Sequence, residues 1–437
     1  MESRESAVFL RYREGLAVTK WMVKWSLIGA WVGLLSGVAS AVFLKALEWA
    51  TDQRASSPWL LFLLPVAGVA IGAIYTRFGK SVSGGNNLLL EKIHDPEGQV
   101  PFRMAPLILI TTVLTHLCGG SAGREGTAVQ MGGTLADLAA LPLKLGKPDR
   151  RILIMAGISA GFGSVFGTPM AGAVFGMEVL MIGRIQYDAL LPCLVASIVG
   201  DVVCRICGVH HVGYAAPATF TMTPTVCLWI VVGGVLFAAA SAIFAELTHR
   251  LQHVGAKVWG APFVRPFVGG VIVILMTLAV GSQLYNGLGV PLIQKSFVSL
   301  DIPLYAFALK ILFTAVTLGA GFKGGEVTPL FCIGATLGNA LAHVTHQDPA
   351  LFSSLGFVAV FAGAANTPLA CTIMGIELFG AHLAVPLGIA CVLAYILSGH
   401  RGIYLSQQVH RPKSPVAEIA EGTTLRTIHT ERLNKPR

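Results

Sequence analysis

Three glycine-rich turns carry the residues best suited to chemistry. They are Ser83-Gly84-Gly85-Asn86-Asn87, Gly123-Arg124-Glu125-Gly126-Thr127 and Gly324-Gly325-Glu326-Val327-Thr328-Pro329. Each leads into an apolar, helix-like run. Glycine lets a backbone approach a ligand closely, and Pro329 suits a first helical turn. A helix start offers unpaired N–H groups and a partial positive charge. Several such starts together can hold a dehydrated anion without a full counter-charge. The competing reading is close helix packing at glycine. Two of the turns belong to an internal repeat, which favours an anion site built from broken helices.

Glu125 is the key titrating group in this pattern. An ionised carboxylate beside an anion site competes with the anion, and a protonated one withdraws. One side chain can thereby couple proton to anion movement. The alternative is a helix-start Glu that simply favours the dipole, but an ionisable residue inside a membrane is a functional candidate by default. Arg124 is expected to pair or to cap backbone groups rather than bind the ion. Glu178 and Glu377 share one sequence context and read as structural. Tyr404 offers a hydroxyl to a pore or an aromatic anchor to the interface. His94, His116 and His343 are isolated and read as packing or interface residues.

The repeat is explicit. Thr168-Pro169-Met170-Ala171 leads to Gly176-Met177-Glu178, and Thr367-Pro368-Leu369-Ala370 leads to Gly375-Ile376-Glu377, at an offset of 199 residues. Gly123-Arg124-Glu125-Gly126-Thr127 aligns with Gly324-Gly325-Glu326-Val327-Thr328 at an offset of 201, placing Glu326 opposite Glu125. Thr134-Leu135 then meets Thr336-Leu337 after a one-residue slip. Two pairings at similar offsets indicate duplication.

The elements around these turns belong in a bilayer. Only 12% of the 437 residues are charged and 54% are hydrophobic, against about 25% charged in a soluble domain. Mean hydropathy is +0.70. Together these exclude a soluble enzyme, a disordered chain and a disulfide-stapled secreted module. Charge is expensive in hydrocarbon and apolar surface is not. Glycine, at 50 residues, suits close-packed or broken membrane helices. The run Trp25–Leu44 has no acidic or basic residue over 20 positions, enough to span and longer than a signal-peptide core. Later uncharged runs such as Ala156–Met177 and Pro349–Ile376 are cut by Gly and Pro, so they predict short, tilted or broken helices.

The net charge of +9 sits at the ends and in short connections rather than in a nucleic-acid patch. Arg4, Arg11, Arg13, Lys20 and Lys24 precede the first span; Arg411, Lys413, Arg426, Arg432, Lys435 and Arg437 follow the last. By the positive-inside rule both termini are cytoplasmic and the crossings even in number. The expected organisation is a basic segment at 1–24, a first membrane repeat at 25–212, a second, inverted repeat at 213–410 and a polar tail at 411–437. That tail looks too short for a folded regulatory domain.

Gly123-Arg124-Glu125-Gly126-Thr127-Ala128-Val129-Gln130 resembles the GREGPxVQ signature of the CLC chloride channels and anion/proton antiporters. The resemblance covers about residues 20 to 410. Ser83–Asn87 takes the place of the family's GSGIP, Gly325-Glu326-Val327-Thr328-Pro329 that of GxFxP, and Tyr404 that of a late pore tyrosine. Four departures matter. The family's anion-ligating serine is Gly84; its Ile-Pro is Asn86-Asn87; the proline of GREGP is Thr127; and the inner proton glutamate falls at Val179. With the Glu326-Val327-Thr328 triplet, this pattern is similar to the fluoride/proton antiporter branch.

The resemblance implies an all-α polytopic membrane protein with a CLC-type inverted-topology repeat and many tilted, broken helices. It implies an anion site at Gly84, Gly85, Asn86, Asn87, Gly123, Gly126, Val327, Thr328 and Tyr404, with Glu125 and Glu326 in gating and proton coupling. It also implies a homodimer in a bacterial inner membrane, with fluoride or chloride, protons and lipid as partners and no cofactor or metal. Fluoride is small and strongly hydrated, so amide and hydroxyl donors must replace tightly held water. A chloride/proton antiporter and a passive anion channel remain open, the latter because Val179 removes one proton relay.

Two other motifs point elsewhere. Gly119-Gly120-Ser121-Ala122-Gly123 matches the GxSxG nucleophile elbow, with His116 nearby, and is a remote sign of an intramembrane serine hydrolase. That elbow should follow a strand and pair with a placed histidine and acid, and here a membrane helix precedes it. Cys204-Arg205-Ile206-Cys207 with His210 and His211 has ligand-like residues, but one such pair is weak evidence for zinc. The eight cysteines, scattered through apolar runs, suggest packing rather than disulfides.

Overall fold

Gly29, Gly33 and Gly37 recur every four residues and so share one helix face. That face lies against Pro192, Ala196 and Gly200 of a second helix. A methyl group on the three glycines would fall 3.0, 2.6 and 2.6 Å from the respective carbonyl oxygens. This is membrane-type packing, where small residues bring backbones together. In the computed structural model, residues 2–217 and 219–434 are described, with side chains described for 13–217 and 219–433. Lys435 and Arg437 lie outside the described residues, as do the side chains of Arg4 and Arg11.

The first half contains α1 (Glu2–Ser56), α2 (Leu64–Phe78), α3 (Asn86–His94), α4 (Met104–Leu117), α5 (Glu125–Ala139), α6 (Lys147–Phe166), α7 (Pro169–Glu178) and α8 (Leu190–Ile206). The second contains α9 (Pro224–Val258), α10 (Val264–Val280), α11 (Val290–Val298), α12 (Ala306–Gly319), α13 (Val327–Thr345), α14 (Pro349–Ala365), α15 (Pro368–Phe379) and α16 (Ala384–Leu397). A last helix, α17 (Leu425–Asn434), follows three two-residue strands: β1 (Met181–Ile182), β2 (Gln408–Val409) and β3 (Thr423–Thr424). Among the described residues, five helices are long and apolar enough to cross a membrane, and six shorter apolar ones accompany them. This is the all-α, polytopic architecture with broken helices that the sequence predicts.

The breaks fall where the backbone chemistry demands them. Gly167 and Asn366 end α6 and α14 in the left-handed region, at φ 72° and 59°. Thr168-Pro169 and Thr367-Pro368 then start new helices with proline in the first turn. α1, by contrast, runs unbroken from Glu2, because no proline occurs before Pro58.

The two halves meet through reciprocal contacts. Glu178, at the end of α7, accepts from the backbone N–H groups of Leu369 and Ala370 at 3.1 and 2.8 Å. Glu377, at the end of α15, accepts from Met170 and Ala171 at 2.9 and 2.8 Å. Each carboxylate therefore caps the start of the other half's helix, satisfying N–H groups that have no partner within it. This structural role matches the sequence reading of both residues.

The tail does not hang free. β2 pairs in parallel with β1 and antiparallel with β3, and Leu425 and Ile428 bury against Ile182 and Val409. A segment too short for its own core has borrowed one from the membrane unit.

Candidate functional site

Three of the breaks converge on one place. Gly123 and Gly325 form an isolated antiparallel bridge, with Gly123 N–H donating to Gly325 O at 2.6 Å and Gly325 N–H to Gly123 O at 2.8 Å. This bridge sets the starts of α5 and α13 face to face. It also uses the Gly123 N–H, which is therefore not free for a ligand. α3 arrives beside them: a methyl on Gly126 would fall 3.0 Å from Asn86 Nδ2 and 3.1 Å from Gly325 Cα. Gly85 precedes α3 at φ 57°, a conformation that glycine alone adopts cheaply.

The bridge also revises the repeat register. It relates Gly123 to Gly325, an offset of 202 rather than 201, and so pairs Glu125 with Val327 and Arg124 with Glu326. Helix packing agrees. A side chain on Gly132 would overlap the Gly157 carbonyl, and one on Gly334 would overlap that of Gly356. These crossings correspond only if Gly132 matches Gly334. The sequence alignment at 201 matched glycine to glycine and glutamate to glutamate, and the slip seen at Thr336 was the trace of the true register.

Glu125 is fully buried. Its carboxylate accepts from Thr328 N–H at 3.0 Å and from the Thr328 hydroxyl, and from its neighbour Arg124 N–H at 3.2 Å. Arg124 Nε lies 3.4 Å from the carboxylate in a contact too poorly aligned to be a hydrogen bond. The carboxylate thus sits at the start of α13, on donors of the kind an anion would use. Val327 is buried beside it.

Next to this point lies a cavity of about 360 Å³. Gly84, Gly85, Asn86 and Asn87 line it, as do Glu326 and Tyr404. Tyr404 is buried, edge-on to Phe175 with ring centroids 6.4 Å apart. Asn87 Oδ1 accepts from Ser406 N–H at 2.9 Å, tying the start of α3 to the segment after Tyr404. Gln130, Arg265, Lys323 and Arg426 also line the cavity, and sequence reasoning passed over all four as site residues. Gln130 was legible, since it closes the Gly123–Gln130 motif, about one and a half helical turns beyond Glu125. The three cations carry no local motif, and only the fold brings them together.

Residues 67–399 match the voltage gated chloride channel family, Voltage_CLC. The chain belongs to this family. The chloride/fluoride channel protein of Pseudomonas syringae pv. tomato is 47% identical over 429 residues, covering 96% of this chain and 95% of that protein. The crystal structure of a CLC-type fluoride/proton antiporter superposes with a TM-score of 0.85 at 33% identity, covering 89% of this chain and 98% of the other. A slow cyanobacterial Cl⁻/H⁺ antiporter shares the fold at a TM-score of 0.72 and 20% identity, covering 94% and 97% of the two chains.

Within this CLC fold the other sequence motifs find local roles. Ser121 is fully buried, and its hydroxyl bonds Thr314 Oγ1 and Lys310 Nζ, both at 2.9 Å. His116 faces the Gly123 carbonyl at 3.4 Å, not Ser121, and the GxSxG turn links two helices with no strand before it. At the end of α8, His211 pairs with Asp201 at 3.3 Å.

Proposed function

We propose that this CLC protein is a fluoride/proton antiporter that exports fluoride as protons flow inward. One observation carries the reading: the Glu125 carboxylate rests on the Thr328 N–H and hydroxyl at the start of α13. An anion entering that position must displace the carboxylate, and protonation of Glu125 removes the charge those donors stabilise. Alternate occupation by anion and carboxylate then links one flux to the other. Glu326, at the cavity wall, supplies a second proton-carrying carboxylate in place of the one missing at Val179.

Fluoride as the substrate draws support from the donor set. Asn86 and Asn87 bring amides to the start of α3, and Gly84 leaves out the hydroxyl that chloride members present. The relatives named for fluoride include a solved fluoride/proton antiporter matched along nearly its whole chain. We further propose a homodimer with one pathway per subunit, in a bacterial inner membrane with both termini cytoplasmic. The protein acts as a transporter rather than an enzyme.

A chloride/proton antiporter is the second reading, since the name of the Pseudomonas protein includes chloride as well as fluoride, and a passive channel is the third, since that name also says channel. Reconstituted liposomes separate the three. A proton gradient alone should drive fluoride uphill, with chloride moving at least tenfold more slowly. Equal uphill movement of chloride would establish the second reading, and anion flux without proton movement would establish a channel.

A further inference from the structure

A groove along α9 combines apolar walls with unshared positive charge. From Pro224 to Ala245, α9 has 22 residues without an acidic or basic side chain. At about 1.5 Å per residue that stretch is about 33 Å long, enough to cross a hydrocarbon layer of roughly 30 Å. Glu246 and Arg250 follow at once, so they lie where hydrocarbon gives way to headgroups. Arg401 reaches the same level from beyond α16, which carries no charge itself. A cavity of about 510 Å³ opens there, lined by Ala239, Ala242 and Ile243 on the hydrocarbon side and by Glu246, Arg250 and Arg401 at the boundary.

The charges there do not balance. Arg250 Nε lies 2.7 Å from Glu246 Oε1, yet the Arg250 side chain is still 52% exposed. Arg401 is exposed and makes no ion pair among the described residues. Its backbone is fixed on both sides: Arg401 O accepts from Asn366 Nδ2 at 3.1 Å, and Gly402 O accepts from His249 Nε2 at 2.9 Å. The groove thus sets two anchored cations against one carboxylate. Arg432 of α17 adds a third cation nearby, bonded to the His400 carbonyl at 3.0 Å.

We propose that this groove binds an anionic phospholipid, with an acyl chain along Ala239, Ala242 and Ile243 and the phosphodiester between Arg250 and Arg401. Basic pockets between membrane helices at headgroup depth select anionic lipids, and a guanidinium can meet a phosphate with two parallel bonds. The two alanines leave the room that a chain needs. A second copy of the protein fits poorly. A two-fold contact would set the patch against itself and bring Arg401 toward another Arg401 with no carboxylate to spare. A soluble partner cannot reach the part of the groove that lies in hydrocarbon. Lipid binding of this kind depends on the membrane span of α9, not on which ion is carried.

The test is native mass spectrometry of the full-length protein in detergent, titrated with dioleoylphosphatidylglycerol or with dioleoylphosphatidylcholine. The two lipids share their acyl chains and differ in net charge. The first phosphatidylglycerol should bind about fivefold or more tightly than phosphatidylcholine, and Arg401→Gln should weaken it about fivefold, the share of one basic residue at the headgroup. Lys257→Gln removes an equal charge from the exposed end of α9, outside the groove, and should leave the affinity unchanged. Ala242→Leu, which fills the apolar part, should weaken both lipids. Equal affinity for the two lipids would overturn the site. So would an equal loss in Lys257→Gln, which would reduce the effect to general surface charge. Competition by soluble glycerol phosphate at equal concentration would assign the arginines to free phosphate. Disulfide-linked dimers specific to Ala242→Cys would give the groove to a second copy. Either of these results would also overturn the lipid site.

Discussion

Thr328 and Glu125 are 203 residues apart in sequence, yet Thr328 gives both its N–H and its hydroxyl to the Glu125 carboxylate. One side chain thereby marks the position that carboxylate and anion would share. A hydrogen bond to a charged group contributes about 1.5–3 kcal/mol, which corresponds to roughly tenfold to 150-fold in occupancy. Thr328→Val should therefore slow halide flux at least tenfold, and Thr328→Ser, which keeps the hydroxyl, should stay within about threefold of the parent. Full flux in Thr328→Val would show that the anion does not use this donor.

The reciprocal caps make an asymmetric prediction. Glu178 is buried, 6% exposed, so Glu178→Ala strands two backbone N–H groups away from water and should cost about 2–3 kcal/mol. Glu377 is more open, and its bond to Met170 lies at the surface, so Glu377→Ala should cost about 1 kcal/mol. Thermal midpoints in detergent should fall in that order. The proton-to-halide ratio of the folded fraction should not change in either variant. A changed ratio in Glu178→Ala would assign that residue to the proton route.

The tail should respond to acid. His400, which follows the last membrane helix, is pushed down to about 4 by burial, with Lys413 and Arg432 adding to the effect. Its Nε2 accepts from Lys413 N–H at 3.0 Å, which requires the neutral ring. The unfolded segment binds a proton near pH 6.5 that the folded one refuses until about pH 4. Stability of the tail is therefore full above pH 6.5 and falls as pH drops toward 4. Hydrogen-exchange protection of residues 405–434, relative to the intrinsic rate at each pH, should fall across that window, and His400→Gln, which offers Lys413 an uncharged acceptor, should flatten the response. An unchanged pH response in His400→Gln would remove His400 from the account.

Much of this architecture was legible because the bilayer restricts the choices. Low charge, glycine density and the recurring Thr-Pro helix starts pointed to broken membrane helices. Gly123–Gln130 marked the site, and the shared context of Glu178 and Glu377 marked a common structural role. The repeat register was harder. Matching residue types at an offset of 201 aligned Glu125 with Glu326, whereas the backbone bridge and the Gly132 and Gly334 crossings impose 202. Sequence identity between two small-residue turns cannot detect a one-residue shift, but steric contact can. Arg265, Lys323 and Arg426 were not legible as site residues because each is an ordinary cation locally, and α17 was not because its apolar partners, Ile182 and Val409, lie on distant segments.

The central claim is that the Glu125 carboxylate and the transported halide exchange places at the start of α13. The most direct measurement is the number of protons moved per halide in liposomes carrying Glu125→Gln, followed simultaneously with a halide electrode and a pH electrode. The amide cannot titrate, so proton movement should vanish whether halide transport stops or continues passively. Coupled exchange at the parent ratio in Glu125→Gln would contradict the account.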